Sequence, residues 1–131
     1  MLEILYPRRC AVCDEIEVTG KGICPLCKDK VHVAGEPACK KCGKPLVDER
    51  KEFCTDCGKK HHVYTQGKAV FVYEGGIRNS MYRFKYGNKR EYAEFYANAA
   101  VEKYGVWLNK IKAEVLIPIP CLLYTSPSPR D

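Results

Sequence analysis

The sequence predicts two small metal-centred units followed by the opening of an α/β domain with a mainly parallel sheet. Eight of the nine cysteines fall in four C-x-x-C pairs before residue 58. The pairs recur at a near-constant interval, which marks two similar units in series. After residue 67 the cysteines stop until Cys121, and the apolar residues take up in turn the patterns of strand, helix, helix and strand. At 131 residues the chain has room for one ordinary domain or two small ones.

The pairs are CAVC (Cys10, Cys13), CPLC (Cys24, Cys27), CKKC (Cys39, Cys42) and CTDC (Cys54, Cys57). Zn²⁺ accepts a tetrahedron of thiolates, and two such knuckles facing each other supply one with little backbone strain. A disulfide framework is the competing reading of so many cysteines. The N-terminal MLEILYPRRC shows no cleavage signal, however, and tandem knuckles belong to metal coordination in a reducing compartment. The protein is therefore expected to be soluble and cytoplasmic. No run of about 18 apolar residues is present for membrane insertion.

Cys10 to Cys39 and Cys13 to Cys42 are both 29 positions apart, and the later pairs are offset by 30. Consecutive pairing puts Cys10, Cys13, Cys24 and Cys27 on one ion and Cys39, Cys42, Cys54 and Cys57 on the other. The intervals between knuckles are 10, 11 and 11 residues, so spacing also allows an interleaved arrangement. Four thiolates per ion leave no position for water or substrate, which makes both sites structural. Each would supply about 10 kcal/mol or more of folding energy, which loops as charged as KDK, DERKE and GKKHH need. Eight thiols fill two sites, so His32, His61 and His62 are not required as ligands. Gly43 and Gly58 each follow the last cysteine of a knuckle, where a positive φ would aim backbone N–H groups at sulfur. A redox role for CPLC would leave the other three pairs unexplained.

The formal charge of +6 has to be corrected for the metal, because four thiolates and one Zn²⁺ together carry about −2. Up to Gly67 there are 12 Lys/Arg and 10 Asp/Glu, so two such sites turn that stretch net negative. Residues 68–120 hold 9 basic and 5 acidic side chains, so the usable positive field is expected after the cysteines.

In that second part KAVFVYE (68–74) reads as a strand that Gly75-Gly76 stops. Ile77, Met81 and Phe84 then follow a helical step, and Tyr86-Gly87-Asn88 ends it. A longer helix is predicted from about Lys89 to Lys110, with Tyr92, Phe95, Tyr96, Ala99, Ala100, Tyr104, Trp107, Leu108 and Ile111 mostly on one stripe and Gly105 as a weak point. AEVLIPIP (113–120) is predicted as a buried strand. Two strands and two helices cannot cover both faces of a parallel sheet, so further elements are expected after Pro120.

LYPRRCAVC with CPLC and two further knuckles, then VYEGGIRNSMYRFKYGNKREYAEFYA, then VLIPIP, resembles the ComF family over residues 1–120. These are phosphoribosyltransferase-like proteins of bacteria linked to DNA uptake in natural transformation. The resemblance implies a double zinc ribbon over 1–64 and, over 65–120, the N-terminal part of a type I phosphoribosyltransferase-like α/β domain. It implies single-stranded DNA and competence-machinery proteins as partners. In the family the chain continues past Pro-x-Pro with a basic segment and later a D-D-x-x-T-T-G-x-T loop that cradles phosphoribosyl pyrophosphate with Mg²⁺. None of these motifs is in this sequence, so those two ligands are expected only in a complete parent and the chain itself is expected to be inactive as a transferase. CLLYTSPSPRD (121–131) departs from the family pattern and reads as a non-native tail, so Cys121 is given no metal role. The competing reading is a stand-alone zinc-ribbon module that binds nucleic acid or a partner protein.

Arg78, Arg83, Lys85, Lys89 and Arg90 lie within 13 residues, interleaved with Tyr82, Phe84 and Tyr86. Cations along phosphates and rings beneath exposed bases are what a single strand requires. Phe84 shares the apolar stripe of Ile77 and Met81 and is expected in the core, which leaves Tyr82 and Tyr86 for stacking. A solvated basic face is the plainer reading of the same residues. On the ribbon, Arg8, Arg9, Lys40, Lys41, Lys59 and Lys60 offer a second set, in a region whose corrected charge is negative.

Overall fold

The computed structural model describes residues 7–117. In its first half the cysteine knuckles, not helices or strands, set the path of the chain. A tight turn closes CAVC, with the Asp14 N–H on the Cys10 carbonyl at 2.9 Å, and its equivalent closes CKKC, with Gly43 on Cys39 at 2.8 Å. The residue after each of these knuckles is left-handed, Asp14 at φ 70° and Gly43 at φ 76°. Isolated antiparallel bridges join Arg9 to Ile16 and Ala38 to Pro45, two pairs separated by the same 29 positions as the cysteines. The internal repeat is thus a repeat of backbone conformation. Each unit completes itself on a helical turn, a 3₁₀ helix at Pro25–Lys30 and α1 at Thr55–Lys59. Pro25 starts the first of these at a position whose N–H would be unpaired in any case.

Two longer helices follow, α2 at Gly75–Tyr86 and α3 at Tyr92–Ile111. Gly75-Gly76, expected to stop a strand, instead begins α2. A Cβ on Gly76 would come within 2.9 Å of both the Lys30 carbonyl and Val12 Cγ1, so the missing side chain is what lets α2 lie against the first unit. Gly87 closes α2 with its N–H on the Arg83 carbonyl at 2.7 Å, and Asn88 turns the chain at φ 53°. Gly105 does not interrupt α3, which ends where Lys112 becomes left-handed. Among the described residues no helix is long and apolar enough to cross a membrane.

The core forms between the first metal unit and the two helices. Ala11, Ile77, Tyr92 and Phe95 are buried together, with Ile23, Val31, Phe71, Phe84 and Tyr96 packed around them. Phe71 stacks on Phe95 at 5.5 Å between centroids, and Phe84 and Phe95 both lean on Tyr96. Burial of side chains of this size contributes about 1.5–3 kcal/mol each, and here it comes from both sides of residues 64 and 65. Gly22, left-handed at φ 73°, lies where a Cβ would meet Phe95 Cβ at 2.9 Å.

The strand expectations are corrected. KAVFVYE forms one bridge, Phe71 to Val33, supported by Ala34 N–H on Val70 and Val72 N–H on His32, both at 2.9 Å. Its partner is the link between the two metal units and not another strand of a sheet. Lys103 on α3 holds this crossing, donating to the carbonyls of Ala34 and, at 2.9 Å, Ala69. The hydroxyl of Tyr104 joins the same Ala69 carbonyl at 2.8 Å. Val115, Leu116 and Ile117 of the second expected strand are exposed and belong to no ladder, because the described chain offers them no neighbouring strand. Residues 118–120 and the tail 121–131 lie outside the described residues. The described fold is helical with bridges, and shows no α/β sheet.

Candidate metal centres

The sulfurs of Cys10, Cys13, Cys24 and Cys27 lie within 4.8 Å of one another, and so do those of Cys39, Cys42, Cys54 and Cys57. The arrangement is consecutive. Cys13 and Cys24 are 3.7 Å apart sulfur to sulfur, as are Cys42 and Cys54. A disulfide needs about 2.05 Å. A tetrahedron with Zn–S bonds of about 2.3 Å has edges of about 3.8 Å, which the two 3.7 Å separations match and the 4.8 Å bound on the other pairs accommodates.

Backbone donors surround the sulfurs as that charge requires. Cys10 Sγ accepts from the N–H groups of Val12 and Cys24, both at 3.4 Å, and in the second unit Cys39 Sγ accepts from Cys54 at 3.3 Å. Burial raises the Cys10 thiol, but the backbone donors outweigh it and hold the pKa at about 7. Cys39 is held at about 6 by the same balance, burial opposed by the N–H groups of Cys42, Cys54 and Lys41. Cys27 goes the other way, pushed up to about 12 by burial and by its thiol neighbours Cys13 and Cys24. Cys10 and Cys39 thus ionise readily, while Cys13 and Cys27 in the first cage and Cys42 and Cys57 in the second are pushed up. A divalent cation at the centre removes that conflict. Four sulfur donors per cage, tetrahedral size and backbone N–H support together fit two structural zinc ions.

Residues 1–58 match the double zinc ribbon domain. No curated protein and no solved structure matches the chain. The two units meet their helical turns in the same way: Cys24 and Cys54 are the N-caps, and Cys27 and Cys57 are the third residues of the 3₁₀ helix and of α1. Gly43 has the positive φ expected of it, while Gly58 lies inside α1 without one. Beside the first cage, Asp14 accepts the Tyr92 hydroxyl at 2.6 Å and the Lys89 ammonium at 2.8 Å. These bonds fix the start of α3 to the CAVC knuckle.

The basic and aromatic residues of 78–90 divide into two groups. Arg83 donates to the Val12 carbonyl and Lys89 pairs with Asp14, so both tie the helices to the ribbon. Arg78, Tyr82, Lys85, Tyr86 and Arg90 face solvent. Tyr82 and Tyr86, one turn apart, lie with ring centroids 5.1 Å from each other and are 65% and 61% exposed. Tyr73 joins them on this side, lining a shallow concavity with Arg78, Asn79 and Tyr82. Its exposure was not anticipated from the sequence, where it formed part of a strand. Glu17 was also missed. It is 4% exposed, with its carboxylate on Thr19 and on the Gly22 N–H at 3.1 Å, and no pattern of spacing announces it because its partners are loop backbone.

Proposed function

We propose that the chain is the metal-binding part of a ComF-like protein, in which the double ribbon and the helices packed on it present a surface to single-stranded DNA during DNA uptake. The observation that carries this reading is the exposed Tyr82–Tyr86 pair flanked by Arg78 and Lys85 on α2. Rings open to solvent beside cations take up unstacked bases and their phosphates, whereas duplex bases are already stacked inward. The ribbon's cages are closed and supply rigidity, not chemistry. In this reading residues 1–64 are the double ribbon and 65–120 begin a phosphoribosyltransferase-like domain. Phosphoribosyl pyrophosphate and Mg²⁺ belong to a complete parent carrying the acidic Gly/Thr loop, with competence-machinery proteins as further partners in the cytoplasm.

The test is titration of a fluorescent oligothymidylate with the zinc-loaded protein and with Arg78→Ala/Tyr82→Ala. Loss of one stacked ring removes about 1–3 kcal/mol, so affinity should fall at least fivefold and the salt slope should flatten. Equal affinity and equal slope would remove this surface from the account.

A second reading, a module that docks a partner protein, is favoured by the outer side of α3. Val101, Leu108 and Ile111 are exposed there at helical spacing, at 61%, 40% and 45%. Light scattering separates the two: self-association or partner capture abolished by Leu108→Lys, with DNA affinity intact, supports the protein-docking reading.

A further inference from the structure

The loop that leaves the second metal cage has properties that neither structural zinc nor the α2 face uses. From Cys57 to Tyr73 the sequence contains no acidic residue, while Lys59, Lys60, His61, His62 and Lys68 all fall in that interval. The net negative charge of the ribbon region is therefore unevenly spread. Lys40 and Lys44 in the same unit are paired with Glu52 and Asp56, whereas Lys59 and Lys60 make no ion pair among the described residues.

Two rings accompany these cations. His62 stacks on Tyr64 at 5.2 Å between centroids and 28° between planes, and Lys41 lies 5.3 Å from the centre of the Tyr64 ring. Tyr64 is 41% exposed, and Phe53 on the preceding loop is 45% exposed. The loop is held at both ends. On one side the Lys60 N–H closes α1 on the Asp56 carbonyl at 2.9 Å, directly after the cage. On the other, Gly67 N–H reaches the Lys41 carbonyl at 2.6 Å and Gln66 Nε2 the Lys40 carbonyl at 3.3 Å. Anchored ends reduce the ordering entropy that a binding loop must give up.

We infer that the 59–64 loop of the second ribbon unit is a second contact for single-stranded nucleic acid, with Lys59 and Lys60 on phosphates and the His62–Tyr64 pair as a base platform beside Lys41. The inference rests on the nucleic-acid reading of the proposed function but uses different residues. Lysines near a cage also offset thiolate charge, and that role alone needs no exposed stacked rings. A single strand is the class of ligand because only it offers free base faces.

The experiment measures binding of twenty-residue oligothymidylate and oligouridylate at several salt concentrations. It compares the zinc-loaded wild type, Lys59→Ala/Lys60→Ala, Tyr64→Leu, Tyr64→Phe and Arg78→Ala/Tyr82→Ala, with zinc content measured for each. Two lost phosphate contacts should lower the magnitude of the salt slope by about 1.4. Tyr64→Leu should weaken binding at least fivefold at constant zinc content, and Tyr64→Phe should restore it. Preference between the two oligomers distinguishes DNA from RNA as the source of the strand. Unchanged slope and affinity in the loop variants, alongside a loss in Arg78→Ala/Tyr82→Ala, overturns the loop contact and leaves the α2 face standing. No binding of either oligomer by the wild type overturns both, and capture of a protein in place of the oligomers does the same.

Discussion

Arg83 on α2 donates a hydrogen bond to the carbonyl oxygen of Val12 at 2.8 Å, across 71 positions of sequence. Val12 sits between two cysteines of the first cage, so the helix is fastened to the metal loop itself. Removing this partly buried, charge-assisted bond should cost about 1–2 kcal/mol. Urea unfolding of zinc-loaded Arg83→Ala should show that loss, while Arg78→Ala, whose side chain is free in solvent, should unfold like the wild type. Equal midpoints for the two variants would contradict the fastening.

Gly43 and Gly20 have the same left-handed backbone, φ 76° and 73°, with different surroundings. A Cβ at Gly43 would lie 2.7 Å from the Ala69 N and 2.9 Å from Lys68 Cα, whereas nothing stands within 4 Å at Gly20. Alanine at position 20 should therefore cost only the conformational strain, about 1–2 kcal/mol. Alanine at position 43 should cost clearly more, because backbone and not a flexible side chain has to move. Thermal melts of the two variants with zinc in excess check the order.

Glu17 is buried, and although burial raises its pKa, the donors on Thr19 and Gly22 outweigh that and hold it below the usual carboxylate value. A carboxyl depressed by folding contributes stability above its unfolded pKa, about 4.3, and loses it as the pH falls through the lower folded value. Glu17→Gln should therefore be less stable than the wild type by about 1.5–3 kcal/mol at neutral pH. The gap should stay constant from about pH 8 down to about pH 5 and narrow only below the unfolded value. Paired denaturation curves across that range decide it; narrowing already between about pH 8 and about pH 6 would contradict the assignment to this carboxyl.

The two cages should not be equivalent. The first shares its loop with Ala11, Arg83, Tyr92 and Lys89 contacts, while the second meets the rest through Gly67 to Ala69 and the Val33–Phe71 crossing. Cys27→Ser should reduce amide protection in α2 and α3, and Cys57→Ser should leave it largely intact. Hydrogen exchange resolved by segment reads the difference.

The cages were legible from spacing because a tetrahedral ion constrains residues three apart in sequence, but spacing left their pairing open, and the consecutive arrangement is seen only in which sulfurs the fold brings together. Both helices were legible from the periodicity of Ile77, Phe84, Tyr92 and Phe95. What spacing could not convey is tertiary. The strand expectation at 68–74 and 113–120 rested on β-branched and aromatic composition, which says a segment suits a sheet but not whether a partner lies beside it. Likewise Arg83 and Lys89 look like their exposed neighbours until the ribbon is placed against the helices. The Gly75-Gly76 pair reads as a stop in isolation, and only the approach of Lys30 and Val12 shows why it opens a helix.

The central claim is that two tetrathiolate zinc ions hold the ribbon and, through Ala11 and Val12, order the helices packed on it. Zinc content and near-ultraviolet circular dichroism, measured on the same sample before and after a strong chelator, test it most directly. The account predicts two ions per chain and a collapse of the aromatic signal from the Phe95, Tyr92 and Tyr96 cluster when they are removed. Fewer than two ions, or an unchanged aromatic spectrum in the stripped protein, would contradict it.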